Sequence, residues 1–212
     1  MANQHDGIDS LTGLPARDRF DELLREAVDS GAAVVSLALY DIDRFLAVNE
    51  AHGHDAGDSV LKEVAAAFGA RLPSDAAAVC RLGGDEFAVL MPGTEKEQAF
   101  LALEGARAHV GSLEAFAGLD PAPTVSVGIA TYPDDGGTRQ ELIRKADDAL
   151  YRAKCTGRNK VVLAREEKKV PKTSHYTQGQ LERLSALSQK EGVGEAELLR
   201  EALDDLLKKY SS

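Results

Sequence analysis

The chain has 212 residues, 43% hydrophobic and 28% charged, with no Trp and a formal net charge of −10. That describes one globular domain of ordinary size plus an appendage, and it excludes disordered, collagen-like and broadly nucleic-acid-wrapping proteins. Met1 to Gly13 lacks the basic-then-apolar layout of a signal peptide and no window approaches the ~18 apolar residues of a membrane span, so a cytoplasmic protein without a membrane partner is expected. In chain order, Phe20, Leu23, Leu24 and Ala27 share one helical face and predict a helix over 17–30; the apolar run Val34 to Tyr40 then predicts a buried strand. Val60, Leu61, Val64 and Phe68 predict a helix over 56–72, ending before Pro73. Val79 to Leu82 and Phe87 to Leu90 are strand-like halves around Gly83-Gly84-Asp85-Glu86, which predicts a hairpin with a charged tip. A helix over 95–110, a strand over 124–131, a helix over 139–154 and a strand over 160–164 complete an α/β pattern with mixed strands.

The charged stretch Arg165 to Lys169 predicts a linker. Beyond it, a short extended piece over 172–176, a helix from Thr177, a break at Gly192-Val193-Gly194 and a second helix to Tyr210 predict a separate unit. Acidic and basic residues balance from Arg165 onward, so the acidic excess belongs to the first unit. Cys80 and Cys155 stand far apart without metal-ligand spacing and predict neither a disulfide framework nor a zinc site.

Asp41 and Asp43 end an apolar strand, and Asp85 and Glu86 occupy the hairpin tip. If the two strands are neighbours, the carboxylates converge, and their ionised forms need a cation. An oxygen-only set suits Mg²⁺ or Mn²⁺, and such ions assist attack on phosphate. Spacing alone leaves the alternative open that these acids cap a strand and decorate a turn.

A resemblance narrows that choice. Arg81-Leu82-Gly83-Gly84-Asp85-Glu86-Phe87 resembles the signature of the GGDEF family of diguanylate cyclases. It is accompanied, in order and spacing, by Asp9-Ser10-Leu11-Thr12-Gly13-Leu14, Asp41-Ile42-Asp43-Arg44-Phe45, Gly53-His54-Asp55-Ala56-Gly57-Asp58, Ser126-Val127-Gly128-Ile129-Ala130 and the run Ala146 to Lys154. The resemblance implies a palm-like nucleotidyl cyclase fold over 1–164, a mixed sheet flanked by helices, and condensation of two GTP molecules into cyclic di-GMP. It further implies that Asp41, the Ile42 carbonyl, Asp85 and Glu86 hold the metals, with Asp85, Glu86 and Asp41 as the catalytic set. By the same resemblance Asn49 and Asp58 recognise guanine with His54 and Phe45 nearby, Gly83 and Gly84 adjoin the substrate, and Lys154 and Arg158 meet the triphosphate. A carboxylate at Asp58 suits the guanine N1–H and N2–H₂ and would face acceptors on adenine.

Three departures stand out. Leu46 occupies a position where many members carry Lys, and Glu50 and Ala16 replace the usual Asp and Asn. The inhibitory Arg-x-x-Asp window reads Ser74-Asp75-Ala76-Ala77, so product inhibition through it is expected to be absent.

Residues 172–212, after a linker at 165–171, are similar to ribbon-helix-helix modules, which implies an obligate homodimer built on a two-stranded ribbon. Only eight residues precede Asp9, so pairing of catalytic units is expected from this module rather than from an N-terminal sensor. DNA is a possible further partner, although the segment offers few cations. The competing reading is a retired cyclase domain that senses GTP beside a DNA-binding tail.

Overall fold

The structure is a computed structural model; it describes residues 7–29, 33–72, 77–165, 173–191 and 194–210. It divides into two compact units, Met1–Glu166 and Glu167–Ser212.

In the first unit, β1 (Val35–Asp43), β2 (Ala78–Gly83), β3 (Glu86–Pro92), β4 (Thr124–Tyr132) and β5 (Val161–Leu163) form one sheet in the order β2-β3-β1-β4-β5. Only the β4–β5 pairing is parallel. β1 is central and buried along its whole length, as its apolar run requires. Its side chains alternate between two cores. Val35, Leu37 and Leu39 pack with α1 (Arg17–Asp29) and α5 (Arg139–Cys155), whereas Ala38, Tyr40 and Ile42 join the side built on α3 (His54–Arg71) and α4 (Lys96–Val110). On that side Tyr40 is sandwiched between Phe68 and Phe87, with ring centroids 3.9 and 4.9 Å away. This is the mixed α/β palm-like sheet flanked by helices that the sequence implies.

Two elements differ from the sequence expectation. β1 runs on through Asp43, because pairing with β4 continues to Asp43 opposite Thr124 despite the polar sequence. An additional helix, α2 (Phe45–His52), follows it at once and turns at Gly53 into α3, which therefore starts at His54 rather than Ala56. Close approach also shapes the layers: a Cβ on Gly128 of β4 would lie 2.1 Å from the Leu150 backbone nitrogen, so only glycine lets α5 sit this near the sheet.

In the second unit, α6 (Gln178–Glu191) and α7 (Glu195–Tyr210) form a helical pair. Thr177 and Gln180 cap α6 reciprocally: the Gln180 N–H donates to Thr177 Oγ1 and the Thr177 N–H to Gln180 Oε1. Residues 173–177 carry no strand pairing within the chain. Lys172, the Gly192-Val193 break and most of the expected linker lie outside the described residues. Among the described residues no helix is long and apolar enough to cross a membrane.

Candidate active site

β1 and β3 are neighbours, and the register sets Asp41 opposite Glu86. The hairpin tip is a two-residue turn, Gly84-Asp85, in which Gly84 adopts φ 54°, a left-handed conformation glycine takes without strain. The Ile42 N–H donates to the Asp85 carbonyl at 3.4 Å, tying the tip to the end of β1. Arg81 braces the turn from behind. Its Nε and Nη2 donate to the Gly84 carbonyl at 3.0 and 2.7 Å, and Nη1 donates to both Asp9 oxygens. Burial works against the Asp9 carboxylate, yet hydrogen bonds from Thr12 and the Arg81 guanidinium outweigh it and hold Asp9 below its ordinary range. The N-terminal Asp9–Gly13 turn is thereby fastened to the signature hairpin.

Asp41 is buried, and Lys154 on α5 reaches it with Nζ 2.6 Å from Oδ2. Burial pushes the Asp41 carboxyl up to about 6; Lys154 pulls against that, while the charges of Asp85 and Asp43 add to it. Glu86 is exposed and pairs at 3.6 Å with Arg17 at the start of α1. The site is therefore a crowd of carboxylates short of positive charge. Among the described residues no three His, Cys, Asp or Glu side chains form a ready-made metal cage. The donors are nevertheless all oxygens around a buried, charge-deficient carboxylate, and they fit a hard divalent cation. Lys154 supplies the compensating charge in this structure.

Asp43, two residues on and on the same sheet face, does something different. Its Oδ1 accepts from Ser126 Oγ at 2.7 Å, and its Oδ2 accepts from Thr124 Oγ1 at 2.7 Å and from the Asn159 N–H at 3.0 Å. Both oxygens are thus committed to the protein. Arg158, exposed and left-handed at φ 60°, lies in the loop this carboxylate holds.

The residues expected at the base gather separately, at the α2–α3 corner. Phe45 and Asn49 lie on α2, and His54 and Asp58 are one turn apart on α3. A Cβ on Gly57 would sit 1.9 Å from Asn49 Oδ1 and 3.2 Å from Phe45 Cζ, so α3 leaves a notch that these two side chains fill. Leu46 is 69% exposed. The sequence reading gives no function to Gly57 and no role to Asp43 beyond its place among the converging carboxylates. The eight-residue spacing from Asn49 to Gly57 offers a signal only once the corner is known, and nothing in Asp-x-Asp separates its two acids.

This sheet and its acidic edge define a palm-like α/β domain of the nucleotidyl cyclase type. Residues 7–160 match the family model described as diguanylate cyclase, GGDEF domain, and the chain belongs to the GGDEF family. Residues 168–211 match the ribbon-helix-helix domain. Response regulator PleD of Caulobacter vibrioides is 40% identical over 164 residues, covering 73% of this chain and 35% of PleD. Diguanylate cyclase DgcM of Escherichia coli is 38% identical over 162 residues, covering 74% and 38%. The chain thus spans little more than a third of either relative. Among solved structures, the GGDEF domain of DgcB from Caulobacter crescentus, in complex with c-di-GMP, superimposes with a TM-score of 0.68 at 33% identity, covering 78% of this chain and 97% of that one.

Proposed function

We propose that this chain is a diguanylate cyclase that condenses two GTP molecules into cyclic di-GMP and releases two pyrophosphates. The observation that carries the reading is the Asp41–Lys154 pair, set beside the Asp85-Glu86 tip in a chain of the GGDEF family. Asn49 and Asp58 bind the guanine edge with His54 and Phe45 beside it, and Gly83 and Gly84 let the phosphates approach the hairpin backbone. Lys154 leaves Asp41 for the triphosphate, where Arg158 joins it. Asp41, the Ile42 carbonyl, Asp85 and Glu86 would hold Mg²⁺ or Mn²⁺, which when bound would supply positive charge beside the attacking 3′-hydroxyl and the pyrophosphate leaving group. Asp85 accepts the proton from that hydroxyl.

One such site holds one GTP, so two catalytic domains must face each other, each 3′-hydroxyl attacking the other's α-phosphate. Residues 172–212 provide the pairing, with a strand from each copy completing the ribbon that a single chain leaves unpaired, and 1–164 form the catalytic domain. Because residues 74–77 read Ser-Asp-Ala-Ala, added cyclic di-GMP produces no non-competitive inhibition through these positions; inhibition abolished by mutating them would contradict this.

The test is to incubate the full chain with GTP and Mg²⁺ and assay for cyclic di-GMP, with Asp85→Asn as the inactive control. The exposed Leu46 and the ribbon-helix-helix match favour one competing reading, a GTP-sensing DNA-binding regulator. GTP binding without product, together with a salt-dependent shift of specific DNA, would establish that reading instead.

A further inference from the structure

The loop from Gly157 to Asn159 holds Arg158 in a conformation that residue does not favour. Gly157 has φ 112°, and Arg158 and Asn159 follow at φ 60° and 47°. Consecutive left-handed residues are rare outside glycine; Asn tolerates the conformation and Arg does not favour it, so surrounding contacts must impose it.

Those contacts converge on Asn159. From the sheet side, the Asn159 N–H donates to Asp43 Oδ2 at 3.0 Å. Asp43 is itself 5% exposed and is fixed by the hydroxyls of Thr124 and Ser126. From the helix side, Arg107 Nη1 donates to Asn159 Oδ1 at 2.6 Å, while Arg107 Nε and Nη2 form a two-pronged contact with Glu104 at 2.9 and 2.6 Å. A hydrogen bond to a buried carboxylate is stronger than one to a neutral acceptor, and here the acceptor sits at the bottom of the strained loop. The residue between Gly157 and the gripped Asn159 is Arg158.

We propose that Asp43 is a positioning residue: through the Asn159 N–H, with Arg107 holding the same residue from the other side, it keeps the 157–159 loop left-handed and so aims Arg158 at the substrate's terminal phosphates. This rests on the reading that Arg158 meets the triphosphate. Asp43 touches neither nucleotide nor metal in this role, since its oxygens are already engaged by Thr124, Ser126 and Asn159. Loss of the grip lowers the fraction of molecules with Arg158 in place, and affinity falls by that fraction.

The experiment is calorimetric titration of the full chain in Mg²⁺ with two probes: 3′-deoxy-GTP, which cannot be the attacking nucleotide, and guanosine monophosphate, which lacks the terminal phosphates. Asp43→Ala weakens 3′-deoxy-GTP about tenfold, the loss expected if the competent loop drops to roughly a tenth of molecules, and changes the monophosphate less than about twofold. Asp43→Asn, which keeps an acceptor oxygen for the Asn159 N–H, recovers most of that loss. Arg107→Gln, on the helix side and independent of the buried site, shifts affinity the same way by a smaller factor and carries the test if Asp43→Ala fails to fold. In an Arg158→Ala background neither change adds a further loss. Equal weakening of both probes, or losses that persist when Arg158 is Ala, overturns the proposal while the triphosphate reading stands. Should Arg158→Ala leave 3′-deoxy-GTP affinity unchanged, the triphosphate reading falls and the proposal falls with it.

Discussion

Asp41 is the residue at which stability and chemistry pull in opposite directions. Its carboxyl, pushed up to about 6 chiefly by burial, holds its proton in the folded chain over a range where the unfolded chain has lost it. The folded state therefore binds more protons, and this group's contribution to stability is full below about pH 4 and drains away as pH rises to about 6. In the ligand-free protein the loss is on the order of 1–3 kcal/mol. Thermal melts of wild type and Asp41→Asn between pH 4 and 7 should diverge, the variant gaining on the wild type as pH rises; parallel curves would contradict the burial argument. Leu46 poses a simpler question of charge. It is 69% exposed, so replacing it disturbs no core. Leu46→Lys restores a cation that many family members carry near the phosphates. An exposed ion pair is worth about 0.2–1 kcal/mol, so KM for GTP should fall about 1.5- to 5-fold at low salt and less at high salt. An unchanged KM at low salt would place position 46 away from the phosphates.

At the level of elements, the α2–α3 corner separates what the sequence discloses from what it conceals. The strands, the hairpin and the long helices follow from periodicity, since Val60, Leu61, Val64 and Phe68 must share a face whatever they pack on. α2 does not follow from it: among its eight residues only Val48 is buried, and no repeating apolar stripe develops. The extension of β1 to Asp43 is equally hidden, because the register with β4 carries polar residues into the sheet against their local preference. Asp85 and Glu86 stand out as candidates because they lie together in the hairpin signature, and Asp41 because it closes an apolar strand. The employment of Asp43 is not legible in this way, since Thr124, Ser126 and Asn159 approach it from positions more than eighty residues away. Gly57 gives this corner a test. A methyl there intrudes on the tip of Asn49, a side chain that can swing aside, so Gly57→Ala should raise KM for GTP about tenfold while the melting temperature falls by only a few degrees. A lowered melting temperature with KM intact would remove Asn49 from guanine recognition.

For the whole molecule, the decisive fact is that the two units have different needs. The first has its own two-sided core around one sheet and can fold by itself. The second is a pair of helices that leaves Leu181, Leu187, Leu203, Leu206 and Tyr210 between 42% and 73% exposed, far more apolar surface than a 46-residue unit hides by itself. On the proposed pairing a second copy would cover this surface, and the tether would confine one catalytic domain near its twin at an effective concentration on the order of millimolar. The kinetic signature is specific. Turnover per subunit of the full chain should stay constant as protein is diluted through the micromolar range, whereas a chain ending at Glu166 should turn over in proportion to its own concentration, about a hundredfold more slowly at ~10 μM. Sedimentation should show a dimer for the first and a monomer for the second. Equal turnover of the two chains at every concentration would mean that the catalytic domains find each other without the C-terminal helices, and would leave those helices to another partner.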